Sequence, residues 1–243
     1  MTRLDRLLTE RGLFASRERA QRAIKAGGVL VEGRSVARPA TQVSADARVE
    51  VVGEAEPFVS RGGRKLAAAL DRFALDPAGW TCLDVGASTG GFTDCLLQRG
   101  ARRIYAVDVG RDQLAEALRR DPRVVALEGV NARQLEAGFL PEPCRLVTAD
   151  LSFISLRLVV PAMLSLLEPA GFLLLLVKPQ FEVGRGGLGK GGILRDEEVR
   201  ERTVENTVRS LEELGLERLG LIDSALPGAG GNRESFVWLR GPE

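Results

Sequence analysis

Short apolar runs alternate with helical patterns from residue 81 onwards. Runs with the length of buried strands occupy residues 81–85, 103–107, 124–127, 145–150, 172–177, 219–223 and 235–239. Predicted helices lie between several of them, among them residues 113–119 and 195–214. Such alternation is typical of a mostly parallel sheet covered by helices. The pattern predicts an α/β fold with seven strands, the last two forming a pair.

The first 53 residues have a different pattern. An apolar stripe with helical spacing begins at Leu4, in a helix that Thr2 can cap and Gly12 ends. A second predicted helix follows Ser16 and stops at Gly27. Two short strands come next, at residues 29–31 and 48–52. We expect a small αα-β domain at residues 1–53, a linker at 54–60 and the larger domain at 61–243.

The first strand of the larger domain runs into a glycine-rich turn, Gly86 to Gly91, and then into a helix. Strand, tight turn and helix N-terminus form the entry unit of a Rossmann-like nucleotide-binding fold. A dinucleotide fingerprint needs glycine at its second position, where the backbone approaches a pyrophosphate, but Ser88 stands there. The turn therefore favours a ligand without phosphates, such as S-adenosylmethionine. An ordinary strand-to-helix turn is the alternative.

Polar residues stand at the carboxyl ends of four predicted strands, and these ends share one edge of a parallel sheet. They are Asp84, Asp108, Asp150 and Lys178. Asp108 is placed to bind the two ribose hydroxyls of an adenosine cofactor, unless it is simply an acid of a surface loop. Asn131 can contact the adenine. The predicted cofactor contacts are Asp84, Gly86, Ser88, Gly90, Gly91, Phe92, Asp108, Asn131 and Asp150.

Composition excludes several kinds of chemistry. The chain has no histidine, so Ser-His-Asp and Cys-His catalysis is excluded, and its three cysteines form no C-x-x-C pair. Reduced thiols in a cytoplasm are therefore expected, and neither a signal peptide nor a membrane-spanning run is recognisable. Only four of the 34 basic residues are lysine. Because lysine can accept a proton where arginine cannot, these lysines are candidates for chemistry unless their scarcity is chance.

Lys65 stands among cations in the first turn of a predicted helix, beside Arg61 and Arg64. Such a cluster is a candidate for proton transfer or, alternatively, a basic patch that only contacts phosphate. Further along, residues 184–192 approach a phosphate-binding loop, but Gly191 replaces the Ser or Thr that would hold magnesium. We expect a mobile, RNA-facing loop there, or a plain linker.

Residues 1–50 carry ten bases and six acids, an excess that indicates a polyanionic partner. A basic helix pair leading into a small sheet resembles the S4 RNA-binding domain, on the segments 3–8, 16–20 and 24–33. The resemblance implies RNA contacts, which we assign to Arg3, Arg6, Arg17, Arg19, Arg22 and Lys25, with Arg61 and Arg64 added from the larger domain. Each arginine taken singly is also compatible with a solvated charged face.

The whole chain resembles the TlyA (hemolysin A) family, in which an S4 domain is joined to an FtsJ-like ribosomal RNA methyltransferase domain. The most specific matches are residues 60–66, 84–93, 149–155 and 177–182. The resemblance implies S-adenosylmethionine-dependent ribose 2′-O-methylation of cytidine in ribosomal RNA of both subunits. It assigns a catalytic set to Lys65, Asp150, Lys178 and Glu234, without a metal. Lys178, neutral when it acts, would be the base, and Glu234 rests only on its place before the last strand.

Other functions stay open. An S4 domain also suits a ribosome assembly factor without catalysis, which would not bind S-adenosylmethionine. A base N-methyltransferase is the alternative enzyme, although Leu151-Ser152-Phe153 replaces its common Pro-Pro-aromatic motif. No cysteine follows that strand, as covalent attack on a pyrimidine ring would require. Membrane pore formation has no supporting segment in the sequence.

Overall fold

The computed structural model describes residues 1–14, 16–25, 27–52, 56–184 and 192–243. The chain divides into two compact units, Met1–Val59 and Ser60–Glu243. Each unit has a hydrophobic core of its own. The predicted linker at 54–60 falls partly outside the described residues, so its bounds stay a prediction.

Within the described residues, the first unit contains two helices and two small antiparallel sheets. Its elements are β1 (Thr2–Arg3), α1 (Leu4–Glu10), α2 (Arg17–Lys25), β2 (Val29–Val31), β3 (Arg34–Ser35), β4 (Gln42–Val43) and β5 (Val49–Val51). The strand orders are β1-β4 and β3-β2-β5. The predicted cap at Thr2 is wrong: Thr2 lies in β1 opposite Val43, and α1 begins only at Leu4. Strand pairing keeps the Thr2 backbone extended, one residue too early to cap the helix.

The second unit is an α/β structure around one sheet. Its elements are α3 (Arg61–Phe73), β6 (Thr81–Val85), α4 (Gly91–Gln98), β7 (Arg103–Asp108), α5 (Glu116–Arg119), β8 (Val124–Glu128), β9 (Cys144–Ala149), α6 (Val160–Leu164), β10 (Leu167–Val177), α7 (Pro179–Glu182), α8 (Glu197–Glu212), β11 (Glu217–Asp223) and β12 (Ser235–Arg240). The sheet has seven strands in the order β11-β12-β10-β9-β6-β7-β8. β12 runs antiparallel to both of its neighbours, and the other pairings are parallel. The predicted seven-stranded α/β fold is confirmed.

One predicted helix is much shorter than expected. The pattern at 113–119 yields only α5, four residues long, because the side chain of Glu128 holds the preceding backbone. Its carboxylate accepts the N–H groups of Asp112, Gln113 and Leu114. The backbone hydrogen bond from Asp112 is the main reason that the pKa of Glu128 is lowered to about 2. These N–H groups are therefore engaged in a loop instead of starting a helix.

The core explains why the polar strand ends share one place. The central strands β10, β9, β6 and β7 are neighbours, and side chains such as Leu83, Val107, Val147 and Leu175 are fully buried. Because these four strands are mutually parallel, their carboxyl ends meet at one edge of the sheet. Within the described ranges, no helix is both long and apolar enough to cross a membrane.

Candidate active site

The turn between β6 and α4 is held in a conformation that needs its small residues. Gly86 has φ +85°, and a Cβ there would stand 2.8 Å from the carbonyl oxygen of Asp150. Gly90 has φ +95° and forms the N-cap of α4, where a side chain would collide with Leu118. The turn is thus packed directly against the segment that follows β9, which leaves its backbone open to a ligand on the other side.

Asp108 closes one end of this turn. Its carboxylate accepts the backbone N–H of Ser88 at 2.7 Å and that of Gly110 at 2.7 Å. A pyrophosphate would need such N–H groups for itself and would lie against a carboxylate. A carboxylate can accept about four hydrogen bonds, so Asp108 can still receive ribose hydroxyls. The arrangement fits a nucleoside-like ligand better than a dinucleotide.

A cavity of about 470 Å³ lies beside Asp108. Asn131 and Asp150 line it together with apolar side chains, including Leu151 and Ile154. Asn131 uses its side-chain oxygen to accept the backbone N–H of Arg133. The cavity therefore offers an acid at one end and an apolar wall, which suits an adenosine.

The structure places the predicted cofactor contacts unevenly. Gly86, Ser88, Gly91, Phe92, Asp108, Asn131 and Asp150 line one or both of two neighbouring cavities. Gly90 shapes the turn from behind. Asp84 is fully buried and lines neither cavity, because its carboxylate accepts hydrogen bonds from Thr93 and Thr148. The predicted direct contact of Asp84 with a cofactor is thus not supported, and the residue ties β6 to α4 and β9.

The second cavity, of about 300 Å³, contains three of the four predicted catalytic residues. Lys65, Asp150 and Lys178 line it, together with Arg61 and Ser152. The Nζ of Lys178 lies 2.6 Å from Oδ1 of Asp150 and donates to Oγ of Ser152 at 3.0 Å. Two strand ends, those of β9 and β10, therefore supply a fixed lysine–carboxylate pair.

Lys65 is held from the opposite end of the chain. Its Nζ lies 2.6 Å from Oε2 of Glu234, and the two residues are only 8% and 3% exposed. Arg61 and Arg64 are exposed, whereas the buried Lys65 side chain turns to this carboxylate. Lys65 thus presents a fixed, paired ammonium group at the cavity wall.

Glu234 has a prepared site in front of β12. Its backbone carbonyl accepts the N–H of Ser224, and its carboxylate lies against Gly228, where any Cβ would collide with it. Asn232 supports the same loop by accepting the N–H of Leu194 and donating to the carbonyl of Gly192. Sequence reasoning did not identify these supports, since neither glycine nor asparagine in a loop signals a neighbour so far along the chain.

Glu182 ends the segment 177–182, and the sequence alone does not indicate its contacts. Its carboxylate accepts the hydroxyl of Ser155 and the backbone N–H of Leu156. This joins α7 after β10 to the segment after β9, the two places that carry Lys178 and Asp150. Burial raises the pKa of Glu182. The carboxylate therefore holds the two loops at a fixed spacing.

An exposed aromatic residue stands at the rim of the adenosine-sized cavity. Phe153 has φ +64°, is 90% exposed and packs against Phe181 with a ring-centroid distance of 4.9 Å. Left-handed backbone and an exposed aromatic ring are both unfavourable for folding alone. The ring is thus exposed at the rim of the cavity and not buried in the core.

The predicted RNA contacts of the first unit are partly committed to internal ion pairs. The fully buried carboxylate of Asp5 pairs with Arg3 and Arg17 and accepts a hydrogen bond from Gln21. Its hydrogen bond from Arg3 is the main reason that the pKa of Asp5 lies far below its usual range. Arg3 and Arg17 are therefore both anchored to α1 through Asp5, with their outer parts exposed.

The other predicted RNA contacts differ in setting. Arg6 pairs with Glu10, and Lys25 and Arg22 occupy the last turn of α2. The side chain of Arg19 lies outside the described part of the chain, as does most of the predicted RNA-facing loop at 184–192.

Matches to known proteins cover both units. A family model described as FtsJ-like methyltransferase matches residues 58–241, and the S4 domain model matches residues 2–49. A 16S/23S rRNA (cytidine-2′-O)-methyltransferase TlyA from Mycobacterium tuberculosis is 48% identical over 98% of this chain and 89% of that protein. Hemolysin A of Brachyspira hyodysenteriae is 40% identical over 96% of this chain and 97% of its own.

A solved structure extends the likeness to three dimensions. It is described as a candidate hemolysin from Streptococcus thermophilus, is 39% identical and superposes with a TM-score of 0.79. The match covers 99% of this chain and 88% of that one. The likeness therefore covers the sequence of both units.

Proposed function

The chain belongs to the FtsJ-like methyltransferases and, within them, to the TlyA family, and on this premise we propose that it methylates the ribose 2′-oxygen of cytidine in ribosomal RNA with S-adenosylmethionine as donor. One observation carries the proposal. Lys65, Asp150 and Lys178 face a single cavity beside the glycine turn, and Glu234 holds Lys65 there.

The residues present fit S-adenosylmethionine. Asp108 would take the ribose hydroxyls and Asn131 the adenine, and Gly86 lets the turn pack against the carbonyl of Asp150. When bound, this cofactor supplies an electrophilic methyl group. The two cavities share Gly86, Ser88, Asp150 and Ser152, so a ligand in the first leads directly to the lysines in the second.

Proton transfer falls to Lys178. A ribose hydroxyl is a weak nucleophile, so its proton must pass to a base as the oxygen acquires the methyl group. Lys178 Nζ can accept this proton once it is neutral, and Asp150 and Ser152 fix the position of the amine. Lys65, held by Glu234, can donate a hydrogen bond to the same ribose. Because the donor is already reactive, orientation of the hydroxyl supplies much of the rate.

RNA recognition is divided between the units. The S4 domain supplies the basic helix α2, with Arg6 on α1, and the rim of the cavity supplies Phe153, whose ring can stack on an unpaired base. Cytidine as substrate, and the 16S and 23S molecules as carriers, come from the printed activity of the M. tuberculosis relative. An enzyme of ribosomal RNA would act in the cytoplasm.

The proposal predicts that Lys178→Ala lowers the rate of methyl transfer by at least about 100-fold, because the base is lost. S-adenosylmethionine should still bind, since its predicted contacts are untouched. The measurements are transfer of labelled methyl groups to ribosomal subunits from a strain lacking this enzyme, and calorimetry for the cofactor. Lys178→Arg is the matched variant and should lose the same activity, because arginine keeps the charge but does not deprotonate.

Two results would contradict the proposal. Methyl transfer by Lys178→Ala at the normal rate would refute the assignment of the base. A wild-type protein that binds no S-adenosylmethionine would support the assembly-factor alternative. Mass spectrometry of nucleosides from the treated RNA distinguishes 2′-O-methylcytidine from a methylated base.

A further inference from the structure

Lys65 also borders a third cavity, which the reaction described above does not use. It measures about 440 Å³ and is lined by Lys65, Ala68, Arg72, Ile222 and Asp223, among others. It lies between α3 and the end of β11. The same lysine also lines the catalytic cavity, so the two spaces are neighbours along α3.

Helix α3 carries one stripe of residues along both cavities. Positions 61, 65, 68 and 72 follow at intervals of four, three and four, which places them on one helix face. Arg61 and Lys65 line the catalytic cavity, whereas Lys65, Ala68 and Arg72 line the third cavity. At 1.5 Å per residue the stripe is about 16 Å long, with a cation at each end and one at the reacting centre.

The charges around the third cavity favour binding of an anion. Arg72 is exposed, and among the described residues no carboxylate forms an ion pair with it. The acid in the cavity wall, Asp223, is already paired with Arg200 at 3.2 Å and with Arg233 at 2.6 Å. The neighbouring acid on α3, Asp71, is paired with Arg99. A planar guanidinium in the wall of a partly apolar recess suits a phosphate attached to a flat base.

We propose that this cavity binds the nucleotide next to the methylated one, with its phosphate on Arg72 and its base in the recess beside Ala68. The proposal rests on the proposed function, because it takes the ribose at Lys65 as its starting point. The RNA strand would run along α3 from Arg61 past Lys65 to Arg72. Binding of the neighbouring nucleotide here would hold the target ribose in line with Lys178.

The first test removes the charge. Arg72→Ala should weaken binding of ribosomal RNA by roughly fivefold and reduce the slope of log affinity against log salt by about 0.7 to 1. In steady-state kinetics the variant should show a higher KM for RNA, and its affinity for the cofactor should be unchanged. Arg202→Ala is the matched control, since Arg202 is an exposed arginine of α8 in the same unit. Arg72→Lys should recover most of the binding.

The second test fills the recess without changing charge. Ala68→Leu should weaken RNA binding while leaving the salt slope unchanged, and thermal melting would show that the variant is folded. If Arg72→Ala matters but Ala68→Leu does not, the recess is not occupied and the proposal is wrong. Equal effects of Arg72→Ala and Arg202→Ala on the salt slope would also overturn it.

Two further outcomes distinguish contact with RNA from contact with a ribosomal protein, and the RNA path from the proposed function. Arg72→Ala that binds protein-free ribosomal RNA normally but binds ribosomal subunits weakly would show that a ribosomal protein contacts this cavity, against the proposal. If wild type binds RNA in the predicted, Arg72-dependent way but transfers no methyl group, the proposed function fails while the RNA path stands.

Discussion

Asp84 shows how a single buried carboxyl serves the fold next to the site. It is completely enclosed and receives hydrogen bonds from Thr93 at 2.7 Å and from Thr148 at 3.3 Å. Burial is the main cause that raises the pKa of Asp84 to about 7, against the opposing effect of these hydrogen bonds. Its ionisation is therefore linked to stability in the physiological range.

The sign of that linkage gives a prediction for Asp84→Asn. In the unfolded chain the carboxyl loses its proton near pH 4, so the stabilising neutral form is fully present below that pH and is lost as pH rises through about 7. Between about pH 4 and about pH 7, the melting temperature of wild type should fall relative to that of the variant, with little further change at higher pH. Parallel melting curves over this range would refute the prediction. Other acids cancel in the comparison because both proteins contain them.

Residues differ in how far the sequence predicts their role. Lys178 and Asp150 were placed together because each follows a parallel strand, and the structure has them 2.6 Å apart. Glu182 and Glu128 were assigned no role, although each holds a loop by several hydrogen bonds. Most of their partners are backbone N–H groups. Because almost every residue has such a group, the sequence does not indicate which ones these carboxylates bind.

At the scale of elements, the contact between α3 and α4 positions the catalytic cavity. Gly91, the first residue of α4, lies against the start of α3, where its Cβ would collide with the hydroxyl of Ser60 and stand 2.9 Å from the backbone nitrogen of Gly63. The two helices approach this closely only because residue 91 has no side chain. α3 brings Lys65 and α4 follows the glycine turn, so their spacing sets the width of the cavity.

Gly91→Ala is expected to destabilise the protein by about 1 to 3 kcal/mol, because the backbone of α3 must move away. Cofactor affinity should fall with it. Gly62→Ala is the matched control: its Cβ has ordinary contacts of 3.4 Å or more, and alanine favours the helix by up to about 1 kcal/mol. Denaturant unfolding measures both. A neutral Gly91→Ala would show that α3 and α4 can separate freely.

Strands were predicted better than helices. The runs that form β6, β9 and β10 lie inside the sheet. Their side chains must be apolar whatever their exact neighbours are, so the sequence reveals these strands. α5 is short because the Glu128 side chain captures the backbone before it, and α1 begins late because β1 pairs with β4. Competing hydrogen bonds from distant residues decided these helix starts.

At the scale of the whole molecule, the two units differ in charge and in the cavities they contain. The positive excess lies in residues 1–50, and the candidate catalytic cavity lies wholly in the second unit. The last turn of α2 carries Arg22 and Lys25. RNA affinity and methyl transfer should therefore be separable by mutation.

The double variant Arg22→Ala, Lys25→Ala should bind ribosomal RNA more weakly and reduce the salt slope by about 1.4, the value for two lost phosphate contacts on a single strand. Turnover at saturating RNA and affinity for S-adenosylmethionine should not change. Arg34→Ala, Arg38→Ala removes the same charge from exposed positions of the same unit that are not among the predicted contacts. An equal loss in this control would indicate a diffuse charge effect and contradict a specific site on α2.

Local pattern was sufficient for the strands, the glycine turn and the grouping of Asp150 with Lys178, because burial and parallel pairing leave a signature at each position along the chain. It also separated the basic front from the α/β remainder. Packing alone brought Glu234 to Lys65 across the chain, buried Asp84 beneath the turn and formed the third cavity beside Arg72. Such contacts depend on how distant elements meet in space, which no periodicity within one segment records.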